Sequence, residues 1–157
     1  MPSELPQPEN PLTAQQEFNQ VLSDFDELAG SVLKGHLMIA HQLRALIQKA
    51  THSAEDLEQA GLKVPDLVDL AKQHYHRPQL QPVWDMALQL DALRHEMVHR
   101  HAPDRVAAQI TAFSAPLAKP ASMNKQDVLE SFHRTLGIVN QTLEKESRVL
   151  KKLDDDI

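Results

Sequence analysis

VWDMALQLDALRHEMVHRH, residues Val83 to His101, decides how the rest of the chain is read. Val83, Met86, Leu90, Leu93 and Met97 recur at three- and four-residue steps, the spacing of one apolar helix face. Leu88 and Ala92 fall nearly opposite, so the helix is expected to bury two faces and to sit centrally. At roughly 100° per residue, Arg94 lies about 40° from the Leu90 direction and His99 about 180° from it. His99 is therefore expected to face solvent or a second molecule. Two chemistries compete for the end of this helix. Arg94, His95 and His99 suit a phosphodiester-cutting or RNA-binding helix, whereas His95-Glu96-Met97-Val98-His99 also spells HExxH, the helical zinc-hydrolase string.

Length and composition narrow the surroundings. With 157 residues, 41% of them hydrophobic and only 4 glycines, the chain suits a single globular helical domain. Leu, Ala, Gln, Glu and Lys dominate over β-branched and aromatic clusters, so the expected fold is all-α, an up-and-down helical bundle. The absence of cysteine excludes a disulfide scaffold, a thiolate metal site and a cysteine nucleophile. The opening MPSELPQPENPL has neither a basic region nor an apolar stretch, and no segment approaches the length of a membrane span. A cytoplasmic protein without membrane contact is the expectation. A formal net charge of −6 argues against broad nucleic-acid binding, which rests on Lys and Arg.

Outward from the central helix, residues 1–11 hold four prolines and read as a flexible arm. Thr13 and Gln16 form a candidate capping box, and Phe18, Val21, Leu22, Phe25, Leu28 and Ala29 mark a buried stripe. Gly30 and Gly35 predict a bend or a close helix crossing. The second helix then carries Leu37 to Ile47, with His36 and His41 read as hydrogen-bonded residues at helix contacts. Thr51 to Ala60 reads as a polar connection with a turn capped by Ser53. Pro65 opens a helix running to about Tyr75, with His74, His76 and Arg77 at its dipole-favoured end. Pro82 opens the central helix and Pro103 the next, whose Val106, Ile110, Phe113 and Leu117 are expected to face inward.

Ser114 to Met123 contains two prolines and reads as a linker. Asn124 and Asp127 then cap a long final helix. Its Leu129, Phe132, Leu136, Val139, Leu143, Glu146, Leu150 and Leu153 keep heptad spacing with one charged interruption. That seam either lies along the bundle or pairs with a second chain. Asp154, Asp155 and Asp156 oppose the helix dipole, so this end is expected to fray.

In Gly35-His36-Leu37-Met38-Ile39-Ala40-His41-Gln42-Leu43 of the second helix and Leu90 to His99 of the fourth, the chain resembles the HEPN superfamily (higher eukaryotes and prokaryotes nucleotide-binding domain). Members commonly carry an arginine, then a polar Asn, Asp or His, then a histidine four to six residues after the arginine. Arg94, His95 and His99 match that R-x4-H pattern. The resemblance covers about Gln15 to Leu117 and implies a four-helix core over residues 12–118, leaving 119–157 as linker and extra amphipathic C-terminal helix.

Active members resemble one another as metal-independent endoribonucleases, working as dimers in which both motifs meet in one cleft. The resemblance implies that His99 is the general acid or base and that Arg94 holds the scissile phosphate. The residue types suit those tasks, since imidazole titrates near neutrality and guanidinium matches phosphate geometry. His95, Arg100, His101 and Arg105 are the substrate-binding candidates. No cofactor and no metal are expected on this reading, and the implied partners are a second copy, RNA and an antitoxin-like protein of the toxin–antitoxin kind. The alternative is a non-catalytic nucleic-acid- or protein-binding helical module that dimerises. The lesser alternative is a zinc hydrolase using His95, Glu96 and His99, with His101, Asp104, Glu130 or His133 as third ligand.

Overall fold

The computed structural model describes the backbone of residues 14–52, 57, 59–98 and 103–155, and the side chains of 27–52, 57, 59–97 and 105–150. Within them the chain forms α1 (Ala14–Thr51), α2 (Val64–His74), a 3-10 turn (Pro78–Leu80), α3 (Gln81–Val98), α4 (Pro103–Ala118) and α5 (Lys125–Asp155). The architecture is an all-α helical bundle with a long C-terminal helix, and no strand occurs among the described residues. Nor is any helix among them long and apolar enough to cross a membrane. The expected arm at residues 1–11, the Thr13 cap and the Ser53 cap lie outside the described residues.

α1 corrects one expectation. Gly30 and Gly35 divide nothing, and a single helix of 38 residues runs through both. A mid-helix glycine costs about 1 kcal/mol against alanine, which is too little to break a helix anchored on both sides. That anchorage comes from Leu28, Val32, Ile39, Leu43, Leu46 and Ile47, all buried. The two glycines differ. A Cβ at Gly35 would stand 2.6 Å from a methyl of Leu136, so Gly35 marks a close helix crossing, whereas a Cβ at Gly30 would meet nothing within 4 Å.

The crossing is with α5, which runs parallel to α1. Glu27 pairs with Lys125 at 2.8 Å, Ser31 meets His133 at 3.1 Å, and Gly35 faces Leu136, in ascending order along both helices. The heptad positions Leu129, Phe132, Leu136, Val139 and Leu143 are buried in the same core as the other four helices. Phe132 meets Phe113 of α4 with ring centroids 5.5 Å apart. The seam therefore packs within the chain. Its charged interruption is also accounted for. Glu146 accepts a hydrogen bond from the Tyr75 hydroxyl and lies 3.5 Å from Arg77, tying the end of α2 to α5.

Caps place several boundaries. The Lys63 N–H donates to the Asp66 carboxylate at 3.2 Å ahead of α2, where Pro65 occupies the first turn. The Asn124 side-chain oxygen accepts the Asp127 N–H at 2.9 Å, and the Ser122 hydroxyl donates to the Asp127 carboxylate at 2.6 Å. This is the cap expected of Asn124 and Asp127. The expected linker at Ser114 is shorter, because α4 continues through Pro116 to Ala118. Proline withholds one N–H near the helix end, while Ser114 is buried, donates to the Ile110 carbonyl at 2.8 Å, and its own carbonyl accepts Thr135 at 3.3 Å. Val106, Ile110 and Phe113 face inward, but Leu117 is exposed.

On α3 the expected face is present. Met86, Leu90, Leu93 and Met97 are buried and Val83 partly so. The second buried stripe is Trp84 and Ala87 rather than Leu88 and Ala92. Leu88 is half-buried and Ala92 exposed.

Two outcomes follow from this packing. Gly30→Ala and Gly137→Ala, each with open space where the Cβ would stand, should raise the free energy of unfolding by up to about 1 kcal/mol in denaturant titrations. Gly35→Ala should gain less than either, since Leu136 must move. The second outcome concerns Tyr75. Burial first, then the hydrogen bond and negative charge of Glu146, holds its phenol above the ordinary value of 10.0, with Arg77 pulling the other way. The native state thus keeps a proton that the unfolded chain loses near pH 10.0. That stabilisation is complete below this pH and is lost as pH rises toward the folded value. Unfolding measured at pH 9 and pH 11 should show a shallower alkaline loss in Tyr75→Phe than in the parent protein.

Candidate functional site

The C-terminal half of α3 presents two different sides. Toward α1, the His36 ring nitrogen Nε2 and Asp91 Oδ1 are 2.9 Å apart, with side chains 13% and 24% exposed. Arg94 follows Asp91 by three positions, so the two are neighbours on the helix surface. Its side chain is half-buried, and its Nε is fully shielded without any hydrogen-bond partner among the described residues. Among the described residues Arg94 forms no ion pair. His95, the next residue, is exposed and already engaged in a contact.

Toward α4 stands Glu96, about 160° around the helix from Arg94. Its Oε1 meets Arg105 at 3.4 Å, while its Oε2 is buried without a partner. The side-chain oxygen of Gln109 is likewise buried and unpartnered. Both residues line a small cavity of about 210 Å³ between α3 and α4. Arg105 is exposed and neutralises Glu96, so its charge is partly committed within the chain. His99, Arg100 and His101 lie outside the described residues.

The candidate third metal ligands on α5 have other partners. Glu130 pairs with Arg134 at 3.0 Å, and His133 meets Ser31. Among the described residues no group of three His, Asp or Glu side chains converges as a metal site would require. Of the two histidines expected at helix contacts, His36 is one and His41 is exposed.

Three features go beyond the sequence pattern, which assigns His36 a helix contact but no partner. The His36–Asp91 pair joins positions 55 apart. The orphaned Nε of Arg94 depends on what surrounds it rather than on its neighbours in sequence. Leu33 and Leu37, 43% and 67% exposed, form an apolar patch on α1. They occupy the same turns as His36 and follow one another at i and i+4. Apolar residues at such spacing read as core until the packing of the helix is known.

No protein-family model, no curated protein and no solved structure matches the chain.

A shielded Nε without an acceptor is a local cost of about 1–3 kcal/mol. Arg94→Met keeps the aliphatic stem and removes that donor, so its unfolding free energy should equal or exceed that of the parent by about 1 kcal/mol. Asp91→Ala, which leaves His36 without its partner, should lose about 1 kcal/mol in the same denaturant titration.

Proposed function

We propose that this chain is a HEPN-like protein that acts on RNA as a metal-independent endoribonuclease, with Arg94 and His99 as its catalytic pair. The observation that carries the reading is the unpaired state of Arg94. Arg77, Arg105, Arg134 and Arg148 each meet a glutamate. Arg44 also has no ion pair, but no shielded, partnerless nitrogen. Arg94 alone among these combines a partnerless guanidinium with a buried nitrogen, in a chain whose formal charge is −6. A half-sheltered guanidinium lacking a carboxylate is an anion receptor, and a phosphodiester offers the matching fork of oxygens.

The chemistry needs no metal. A base removes the proton of a ribose 2′-hydroxyl, the oxygen attacks the adjacent phosphorus, and an acid protonates the departing 5′-oxygen. The products are a 2′,3′-cyclic phosphate and a 5′-hydroxyl. His99 supplies an imidazole for one proton transfer, and two motifs sharing one cleft supply two imidazoles. Arg94 stabilises the charge that accumulates on the phosphoryl oxygens. His95, Arg100, His101 and Arg105 are assigned to the flanking strand, with Arg105 exchanging Glu96 for phosphate. Leu33 and Leu37 support a homodimer through the α1–α3 side, because burying two leucines from each copy favours association.

That apolar patch also favours the second reading, a helical module that dimerises or binds a partner protein without cutting anything. One set of assays separates the two. RNA cleavage should persist in excess chelator and fall by about 10²-fold or more in both Arg94→Ala and His99→Ala, with dimers in sedimentation. Folded, dimeric protein that leaves RNA intact under all conditions would replace the nuclease with the binding module. Cleavage or hydrolysis that requires added zinc would replace both with the His95–His99 hydrolase.

A further inference from the structure

A second region of the molecule is independent of α3. Alongside the Gly35–Leu136 contact, an open groove of about 650 Å³ lies between α1 and α5. Small-molecule sites typically occupy roughly 300–1,000 Å³ and combine apolar walls with a few oriented polar groups. Here Met38 and Leu136 supply the apolar surface. Most of the polar groups are already satisfied. Glu27 is paired with Lys125, and Ser31 with His133.

Two polar groups are left over. The Asn140 side-chain oxygen is shielded and accepts no hydrogen bond among the described residues, a deficit that turning the amide toward the groove and meeting an N–H or O–H donor from outside the chain would remove. Lys34 lines the same groove, and among the described residues no carboxylate pairs with it. With Glu27 and Lys125 cancelling, Lys34 leaves the groove with one positive charge inside an acidic protein.

The glycines add a separate argument. Gly30 and Gly137 stand inside long helices, each at about 1 kcal/mol of helix propensity relative to alanine. No contact among the described residues explains either, since a Cβ at each would meet nothing within 4 Å there. Both open onto the groove. Their effect is to keep it wide.

We infer that the α1–α5 groove binds a small organic anion with an apolar body and an N–H or O–H donor. Lys34 meets the anionic group, Asn140 accepts the donor, and the apolar body lies over Met38 and Leu136 between the two glycines. The site is separate from the Arg94 face and holds whether or not that face cuts RNA.

A dye with this chemistry tests it. 8-Anilinonaphthalene-1-sulfonate carries a sulfonate, an anilino N–H and an apolar ring system. Titrated into the full chain by fluorescence, it should saturate at one site. Gly137→Leu fills the groove with a better helix former, so it should weaken binding at least tenfold while the melting temperature stays level or rises. Loss of binding then has no origin in unfolding. Lys34→Gln should weaken the dye about tenfold, and the uncharged analogue N-phenyl-1-naphthylamine should bind the parent protein at least tenfold less tightly. Leu37→Ser, on the other exposed patch, should change nothing. The inference is overturned if the parent protein shows no saturable binding, if Gly137→Leu binds the dye as the parent does, or if Leu37→Ser rather than Gly137→Leu abolishes it.

Discussion

The approach of α1 to α5 at Gly35 and Leu136 is the constraint on which the rest of the molecule depends. α1 is long enough to serve as the common wall for α2, α3 and α5, and its buried stripe is shared among them. Only a residue without a Cβ lets Leu136 seat against the helix backbone at this level. On the N-terminal side of this contact along both helices, Ser31–His133 and Glu27–Lys125 keep the two in register. Because α5 is held there, its apolar seam is directed into the core, and Phe132 reaches Phe113 to bring in α4. The position of α3, and hence the direction in which Arg94 points, follows from the same wall through His36 and Asp91.

α3 shows how one short motif is divided by helix geometry. Arg94 and Glu96 are two residues apart and face nearly opposite ways, one toward the α1 side and one toward α4. The letters of an HExxH string and of an R-x4-H string overlap in sequence, but their side chains have different neighbours. Glu96 meets Arg105 across the α3–α4 interface. Arg94 meets no acid among the described residues. This distinction gives the anion-receptor reading its support, and it comes from partners that are remote in sequence.

Several polar atoms remain shielded without partners, among them Arg94 Nε, Asn140 Oδ1, Glu96 Oε2 and Gln109 Oε1. Each is a cost to folding on the order of 1–3 kcal/mol unless water or a ligand meets it. A bundle with so many buried leucines and valines tolerates a few such deficits, and those of Asn140, Glu96 and Gln109 belong to residues that line cavities. Their placement is informative. Arg94 lies one turn beyond Asp91, the α3 partner of His36, Asn140 lines the α1–α5 groove, and Glu96 and Gln109 share the small cavity.

Much of the bundle was legible along the chain because it is decided locally. Pro65, Pro82 and Pro103 mark helix starts through a fixed φ and a missing N–H, and Asn124 with Asp127 caps α5 through side chains within one turn. The buried faces of α3 and α5 were visible as periodicity, since spacing alone puts those residues on one side. Tertiary structure decided what periodicity leaves open. It made α1 continuous, because burial on both sides of Gly30 and Gly35 outweighs two weak helix formers. It carried α4 past Ser114, whose hydroxyl and carbonyl found partners on α4 itself and on α5. It turned the heptad seam of α5 inward, left Leu33 and Leu37 uncovered, and chose His36 over His41 as the part-buried partner of an aspartate. An apolar or titratable residue states what it would lose by being buried or exposed; only the packing of distant segments determines which of those happens.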